Sequence, residues 1–181
     1  TAERIVTFLK GEIPEIPVIC SVAELIAVHK NLAGEIDRCI ISEDEMADNA
    51  SPELRSIRRA IIRQNEALKA KMNHILNLSD NKTILQDSIV TMRNGRYVIP
   101  VKQEHRNRVP GIVHDQSGTG ATLFIEPQAI VNLNNELRQL ELDEKAEINR
   151  ILKELSESVS EHCHDLLNNQ KLMLELDLFM A

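Results

Sequence analysis

Aromatic side chains are scarce in this sequence: 181 residues include no tryptophan, one tyrosine (Tyr97) and three phenylalanines (Phe8, Phe124 and Phe179). Many proteins that read unpaired bases stack them on aromatic rings. This chain has no such platform, and any contact with nucleic acid is expected to follow backbone and shape rather than base identity. Cysteine is equally sparse. The three present, Cys20, Cys39 and Cys163, form no paired or CxxC spacing, which points to a reducing, cytoplasmic setting. No apolar run is long enough to cross a bilayer. Residues 1–10 also lack the basic start, apolar centre and small-residue cleavage site of a signal peptide, so no membrane partner is expected. No GxxxxGK[ST] stretch occurs, so the chain itself offers no phosphate cradle with its lysine. Glycine and proline number six each, and neither occurs after Pro127.

What is present describes a folded chain: 43% hydrophobic and 27% charged residues are ordinary for a soluble globular protein, and the length suits one folding unit. The sequence begins without Met and stops in the apolar run Leu176-Asp177-Leu178-Phe179-Met180-Ala181, with no Gly or Asn to close a helix. It is therefore expected to be a piece of a longer protein. The net charge is −7, but it is unevenly spread. Residues 54–110 hold twelve basic side chains against four acidic ones, a local charge of +8 that leaves −15 for the remainder. Such polarity suggests a basic working surface joined to acidic, solvated helices.

The pattern predicts a mostly α protein with a small antiparallel β element, an α+β fold of long helices and about four strands. Residues 2–10 read as helix, followed by a break over residues 11–17. A second helix is predicted over residues 21–40, with Val22, Leu25, Ile26, Val28, Leu32 and Ile36 on one broad apolar stripe. An acidic linker over residues 42–50 leads to Ser51-Pro52-Glu53, a capping hydroxyl, a proline at the first helical position and an acid in the first turn. The helix that follows should run from residue 52 to near 78, burying Leu54, Ile57, Ile61, Leu68, Met72, Ile75 and Leu76. Arg55, Arg58, Arg59, Arg63 and Lys69 project elsewhere.

After a turn at residues 77–82 the period changes to two. Residues 89–92 and 96–102 flank Arg93-Asn94-Gly95-Arg96, where Asn-Gly supplies the positive φ angles of a tight hairpin. Tyr97, Ile99 and Val101 share one face of the second strand, and Arg96, Val98, Pro100 and Lys102 the other. Pro100 confines that strand to an edge or to an unpaired position. A second pair, residues 111–115 and 121–125, is joined by Gln116-Ser117-Gly118-Thr119-Gly120. From residue 127 the pattern is helical to the end. Ile130, Leu133, Leu137, Leu140, Ile148, Ile151, Leu155 and Val159 form a narrow seam, and Glu141 and Lys145 are placed to pair. A helix of about 40 residues would span about 60 Å. The expected division is a helical part over residues 1–87, a β element over 88–126 and a long helix over 127–181 that is cut at its C-terminal end.

The stretch NGRYVIPVKQEHRNRVPGIVHDQSGTGATLFIEPQAIVNLNNELRQLELDEKAEINRIL (residues 94–152), with SPELRSIRRAIIRQNEALKAKM (51–72) before it, resembles the second bacterial branch of the MutS family, the lineage not dedicated to mismatch repair. GRYVIPVK, GIVHDQSG and TLFIEP occur in that family's order and spacing. The resemblance implies that this region is the core and lever carrying a clamp-like β element. ATP and Mg²⁺ would be bound further downstream, in an ATPase domain that is absent here, and the branch often ends in a small Smr-type nuclease domain. It implies two settings, branched DNA and recombination intermediates or stalled ribosomes, and hence DNA or ribosomal RNA as partner. The full-length protein would be a homodimer joined largely through the ATPase part, and the present piece mainly a monomer. The rival expectation is a helical protein-protein interaction scaffold that binds no nucleic acid, against which the seam's lack of a sustained heptad register counts.

The candidate nucleic-acid-binding residues are Arg93 and Arg96, which flank the hairpin turn, and Lys102, His105, Arg106 and Arg108 after its second strand. Long cations on a projecting edge can meet phosphates and release their counterions. The arginines of the 52–78 helix would either extend this track or pack against acidic neighbours. No cofactor, metal or catalytic residue is expected within the chain. Gly118-Thr119-Gly120 begins like GxGxxG, but Leu123 and a following strand make it a turn. His114, Asp115 and Ser117 are residue types of a hydrolase, yet their near-adjacency builds no relay and no nucleophile elbow is present. His162 and His164, two apart on a helix, point about 200° apart and cannot share an ion, and Cys163 between them is expected to be partly buried. Asn132, Asn134 and Asn135 are expected to be hydrogen-bonded packing residues.

Overall fold

The computed structural model describes residues 2–12, 17–78 and 81–180. Residues 13–16 of the predicted break, Ser79 and Asp80 of the turn before the strands, and both terminal residues lie outside these. The helices are α1 (Ala2–Glu12), α2 (Pro17–Glu24), α3 (Lys30–Cys39), α4 (Pro52–Asn77), α5 (Asn81–Ile84), α6 (Val131–Glu161) and α7 (Cys163–Met180). One sheet holds β1 (Thr91–Arg93), β2 (Arg96–Lys102), β3 (Gly111–Gln116) and β4 (Thr122–Pro127) in the antiparallel order β1-β2-β4-β3. The fold is thus α+β, as the pattern predicts. Among the described residues no helix is long and apolar enough to cross a membrane. The chain divides into two compact units, residues 52–147 and residues 1–51 with 148–181, so α6 supplies residues to both.

In the unit of residues 52–147, α4 keeps its predicted length and buries Leu54, Ile57, Leu68, Met72 and Leu76. Leu68, Met72 and Leu76 join Ile84, Leu85, Ile99, Val101, Val109, Ile125, Ile130 and Leu137 in one core, with Ile61, Ile75, Tyr97 and Leu133 packed against it. Asn94 and Gly95 take φ of 51° and 72°, the left-handed pair that the hairpin demands. Pro100 lies in an internal strand, opposite Phe124 of β4. Its carbonyl accepts from Gln86 N–H at 2.9 Å, so its nitrogen also faces away from β4, on a side where the pairing with β1 stops at Val98. Internal placement is tolerated because no ladder bond is asked of that nitrogen. The Ser117–Ala121 connection is a closed turn in which Gly120 N–H donates to Ser117 O at 2.8 Å and Ser117 N–H to Thr122 O at 2.9 Å.

In the other unit, Leu9, Ala23, Ile26, Leu172 and Leu176 form the core. The predicted helix over residues 21–40 is in fact two, α2 and α3, separated at residues 25–29. Asn169 fills this interruption: its Oδ1 accepts from Ala27 N–H at 2.8 Å and its Nδ2 donates to Ala27 O at 2.7 Å. The long C-terminal helix is likewise divided, at His162. Cys163 is exposed rather than partly buried. Glu141 pairs with Arg138 at 3.0 Å rather than with Lys145. The acidic linker is packed, not loose. Ala47 N–H donates to Cys39 O at 2.8 Å, Met46, Ala47 and Ala50 are buried, and Arg38 donates to Asn49 O at 3.0 Å and Ala50 O at 3.1 Å.

Candidate nucleic-acid interface

The six candidate cations separate into those bound internally and those left at the surface. Arg93 is the closing residue of the hairpin, paired with Arg96 in register. Its guanidinium lies 4.1 Å from the centroid of the Phe124 ring, its Nε is 3.2 Å from Asp115 Oδ2, and it donates to Met92 O at 2.9 Å. Asn94 Nδ2 donates to His114 O at 3.3 Å. The hairpin tip is therefore docked on β3 and β4 instead of projecting. Arg106 is also engaged, donating to Val109 O and Gly111 O at 3.2 Å each, which ties the turn after β2 to the start of β3.

Arg96 enters a buried polar network. Its Nη2 is 2.9 Å from Oε1 of Glu126, a carboxylate with no exposed surface. The same carboxylate meets His114 Nε2 at 2.6 Å and accepts from Asn134 Nδ2 at 2.8 Å. Asn134 in turn accepts from Tyr97 N–H at 3.2 Å and donates to Tyr97 O at 3.2 Å, while Arg96 also donates to Asn135 Oδ1 at 2.8 Å. A buried carboxylate is tolerable only when its charge and lone pairs are matched, and here a guanidinium, an imidazole and an amide converge on it. His114 reaches it because of an irregularity in the sheet: the β3–β4 register shifts between Val113 and Asp115, making His114 an extra residue that a regular ladder would not hold. Glu126 lies within the TLFIEP stretch, but nothing there marks it as a site, and its role emerges only once β2, β3 and α6 are assembled. Asn134 is the hydrogen-bonded packing residue expected of it, whereas Asn135 accepts from Arg96 at an exposed position and Asn132 is exposed.

Lys102, His105 and Arg108 differ. They lie in and just before a 3-10 helix, Gln103–Arg108, whose three-residue turn places positions i and i+3 above one another at steps of about 6 Å. His105 and Arg108 thus share one face of it, and Lys102, in extended backbone, stands at its entry. Arg108 is exposed, with no hydrogen bond or ion pair among the described residues, and Lys102 donates only to Thr83 O, at 3.2 Å. His105 is 3.6 Å from Glu104. On α4, Arg58 pairs with Glu144 at 2.7 Å, the packing outcome. Arg55, Arg59 and Arg63, by contrast, share an i, i+4, i+8 stripe, and all three are exposed without an ion pair among the described residues.

The hydrolase-like trio does not converge. His114 turns to Glu126, Asp115 to Arg93, and Ser117 Oγ accepts from Thr122 N–H at 3.1 Å. Neither a serine-histidine bond nor a phosphate cradle is built by these residues.

No family model matches the chain. Among curated proteins, it is 48% identical over 182 residues to Endonuclease MutS2 of Alkaliphilus oremlandii, covering 99% of this chain and 23% of that protein. It is 50% identical over 161 residues to Endonuclease MutS2 of Clostridioides difficile, covering 89% and 20%, and 47% identical over 183 residues to that of Clostridium botulinum, covering 98% and 23%. The matched share of this chain is nearly its whole length, so the likeness includes both compact units, not the hairpin motifs alone. The chain belongs to the MutS2 family and spans about a quarter of the length of these relatives.

Proposed function

We propose that this chain is a nucleic-acid-binding lever and clamp module of a MutS-family ATPase, acting in the cytoplasm on branched DNA and recombination intermediates or on the ribosomal RNA of stalled ribosomes. The observation that carries this reading is the stripe Arg55, Arg59 and Arg63, exposed and without acidic partners among the described residues. Like charges four residues apart destabilise a helix by about 0.2–0.5 kcal/mol per pair, and Arg55 adds a cation near the helix's positive end. A polyanion removes that penalty and gains the counterions released from its phosphates. Lys102, His105 and Arg108, at and after the end of β2, support the same reading, and the lack of an aromatic platform favours backbone over base contacts. Arg93, Arg96 and Arg106 serve it indirectly, by holding the β element in shape. The endonuclease chemistry in the relatives' name, and the ATP and Mg²⁺ that the resemblance implies, are assigned in this reading to other parts of the whole protein.

The test is binding to duplex DNA, four-way junction DNA and structured ribosomal RNA across a salt series, with Arg55, Arg59, Arg63 and Arg108 changed together to Gln. About four phosphate contacts give a log-log salt slope of about −3 to −4, which the quadruple variant should abolish. The polymer bound most tightly decides between the two settings. Equal binding by the variant and the parent chain would refute the reading.

A second reading, a helical protein-protein interaction scaffold without nucleic-acid binding, draws on the unit of residues 1–51 and 148–181. Leu25, Ile41, Leu167, Leu174 and Leu178 are each more than half exposed there, at 64%, 62%, 55%, 59% and 78%. Absence of binding to all three polymers at low salt would favour it.

A further inference from the structure

We infer that His29, His162 and Asp165 form a binding site for a divalent first-row transition metal of the zinc, cobalt and nickel class. This inference is independent of nucleic-acid binding. The three residues come from the interruption between α2 and α3, the single non-helical residue between α6 and α7, and the first turn of α7. One ligand atom from each, two imidazole nitrogens and a carboxylate oxygen, lies within 4.8 Å of the other two. Two breaks in otherwise helical chain thus bring two histidines together from distant parts of the sequence.

The present contacts of these side chains leave them available. The His29 and His162 rings stack, with centroids 4.2 Å apart and planes 28° apart. Asp165 Oδ2 is 3.1 Å from His29 Nε2 without a hydrogen bond between them, and that enclosed nitrogen has no hydrogen-bond partner among the described residues. A buried ring nitrogen without a partner is costly, and in the Nδ1–H tautomer Nε2 carries a lone pair that a cation would satisfy. The acid beside it supplies the anionic ligand. A cleft lined by Val28, Lys30, Asn31 and Leu32 opens onto His29 and His162, giving a hydrated ion a way in.

The donor set selects the metal. Imidazole suits zinc, cobalt, nickel and copper, whereas Mg²⁺ and Ca²⁺ require mostly oxygen ligands. Ligands about 2.0–2.1 Å from a tetrahedral zinc stand about 3.4 Å apart, so the widest spacing of the trio must close by at most about 1.4 Å, the stacked rings splaying to aim their nitrogens at the ion. Solvent completes the coordination from the cleft side. The bound ion would fasten the α2–α3 interruption to the α6–α7 junction. His164 takes no part, because it lies on α7 two residues beyond His162 and outside the cluster.

The experiment is titration of the 181-residue chain with Co²⁺, followed by its visible d–d absorption, and with Zn²⁺ by calorimetry. One equivalent should bind with Kd on the order of 1 μM or tighter. Asp165→Asn and His162→Gln should each weaken binding by about 10-fold or more, as loss of one of three ligands requires, while His164→Ala and Cys163→Ser leave it unchanged. Circular dichroism of each variant checks the fold, and a zinc-dependent rise in the melting temperature of the parent chain, reversed by chelator, reads the site without any substitution. No stoichiometric binding of either ion would overturn the proposal, as would binding that survives both Asp165→Asn and His162→Gln.

Discussion

Asn169 holds the peptide groups of Ala27 from both sides, accepting from its N–H at 2.8 Å and donating to its carbonyl at 2.7 Å. One amide on α7 thereby replaces helical bonds that the chain gives up between α2 and α3. Asn169 is 4% exposed, so removing its side chain strands the backbone polar groups of Ala27 in an enclosed setting. Asn169→Ala should lower stability by about 1–3 kcal/mol in urea unfolding. Amide exchange at Ala27 should accelerate in the same variant.

Glu126 is the second such keystone. Its carboxylate is wholly buried beneath Arg96, His114 and Asn134. Glu126→Gln leaves the Arg96 guanidinium, 17% exposed, without its counter-charge and should cost about 3 kcal/mol. Arg96→Gln alone should be comparably harmful, and the double variant Arg96→Gln with Glu126→Gln should lose much less than the sum of the two. A simple sum in thermal melts would show that the pair is not coupled.

How legible this was differs by element. Helix α4 and the hairpin at Asn94-Gly95 could be read directly, because a helical apolar period and a turn that demands positive φ are local properties. The division of the predicted 21–40 helix could not, since no Gly or Pro stands at residues 25–29, where the break falls, and the bonds that stabilise it come from Asn169. The fate of the basic residues was equally hidden. Arg58, Arg59 and Arg63 look alike in sequence, yet among the described residues only Arg58 meets an acid, Glu144. Glu126 was invisible as a site because its partners lie on three other elements.

Gly111 has a steric role that its φ does not reveal. A Cβ there would stand 2.1 Å from Glu126 O and 2.9 Å from Glu126 C, both backbone atoms that cannot swing aside. Gly111→Ala should therefore separate β3 from β4 and destabilise by about 3 kcal/mol, the upper range of overpacking penalties. Gly118→Ala, where a Cβ meets nothing within 4 Å, should be nearly silent in the same melts.

Arg55, Arg59 and Arg63 should behave oppositely in stability and in binding. Changing Arg59 to Gln relieves two like-charge pairs and should stabilise the free chain by about 0.4–1 kcal/mol. If phosphates are its partners, the same variant should bind DNA or RNA more weakly, with a salt slope shallower by about 0.9.

The oligomeric state is open to a direct check. With the family's dimer contacts expected in the ATPase part, light scattering at micromolar concentration should give the mass of one chain, 20.5 kDa. A tight dimer would place a self-association surface within these residues.

The extra residue at His114 bears on which changes in length the protein can accept. Deleting it would give β3 and β4 an unbroken register, a more regular sheet than the one observed. That sheet would lack the imidazole that meets Glu126, and the carboxylate would stay enclosed with one contact fewer. A residue inserted in the turn at Gly118 and Thr119, both exposed, would disturb only the turn's own bonds. Insertions and deletions among relatives should therefore collect in that turn and spare the strand beside it, even where the strand would pair better for losing a residue.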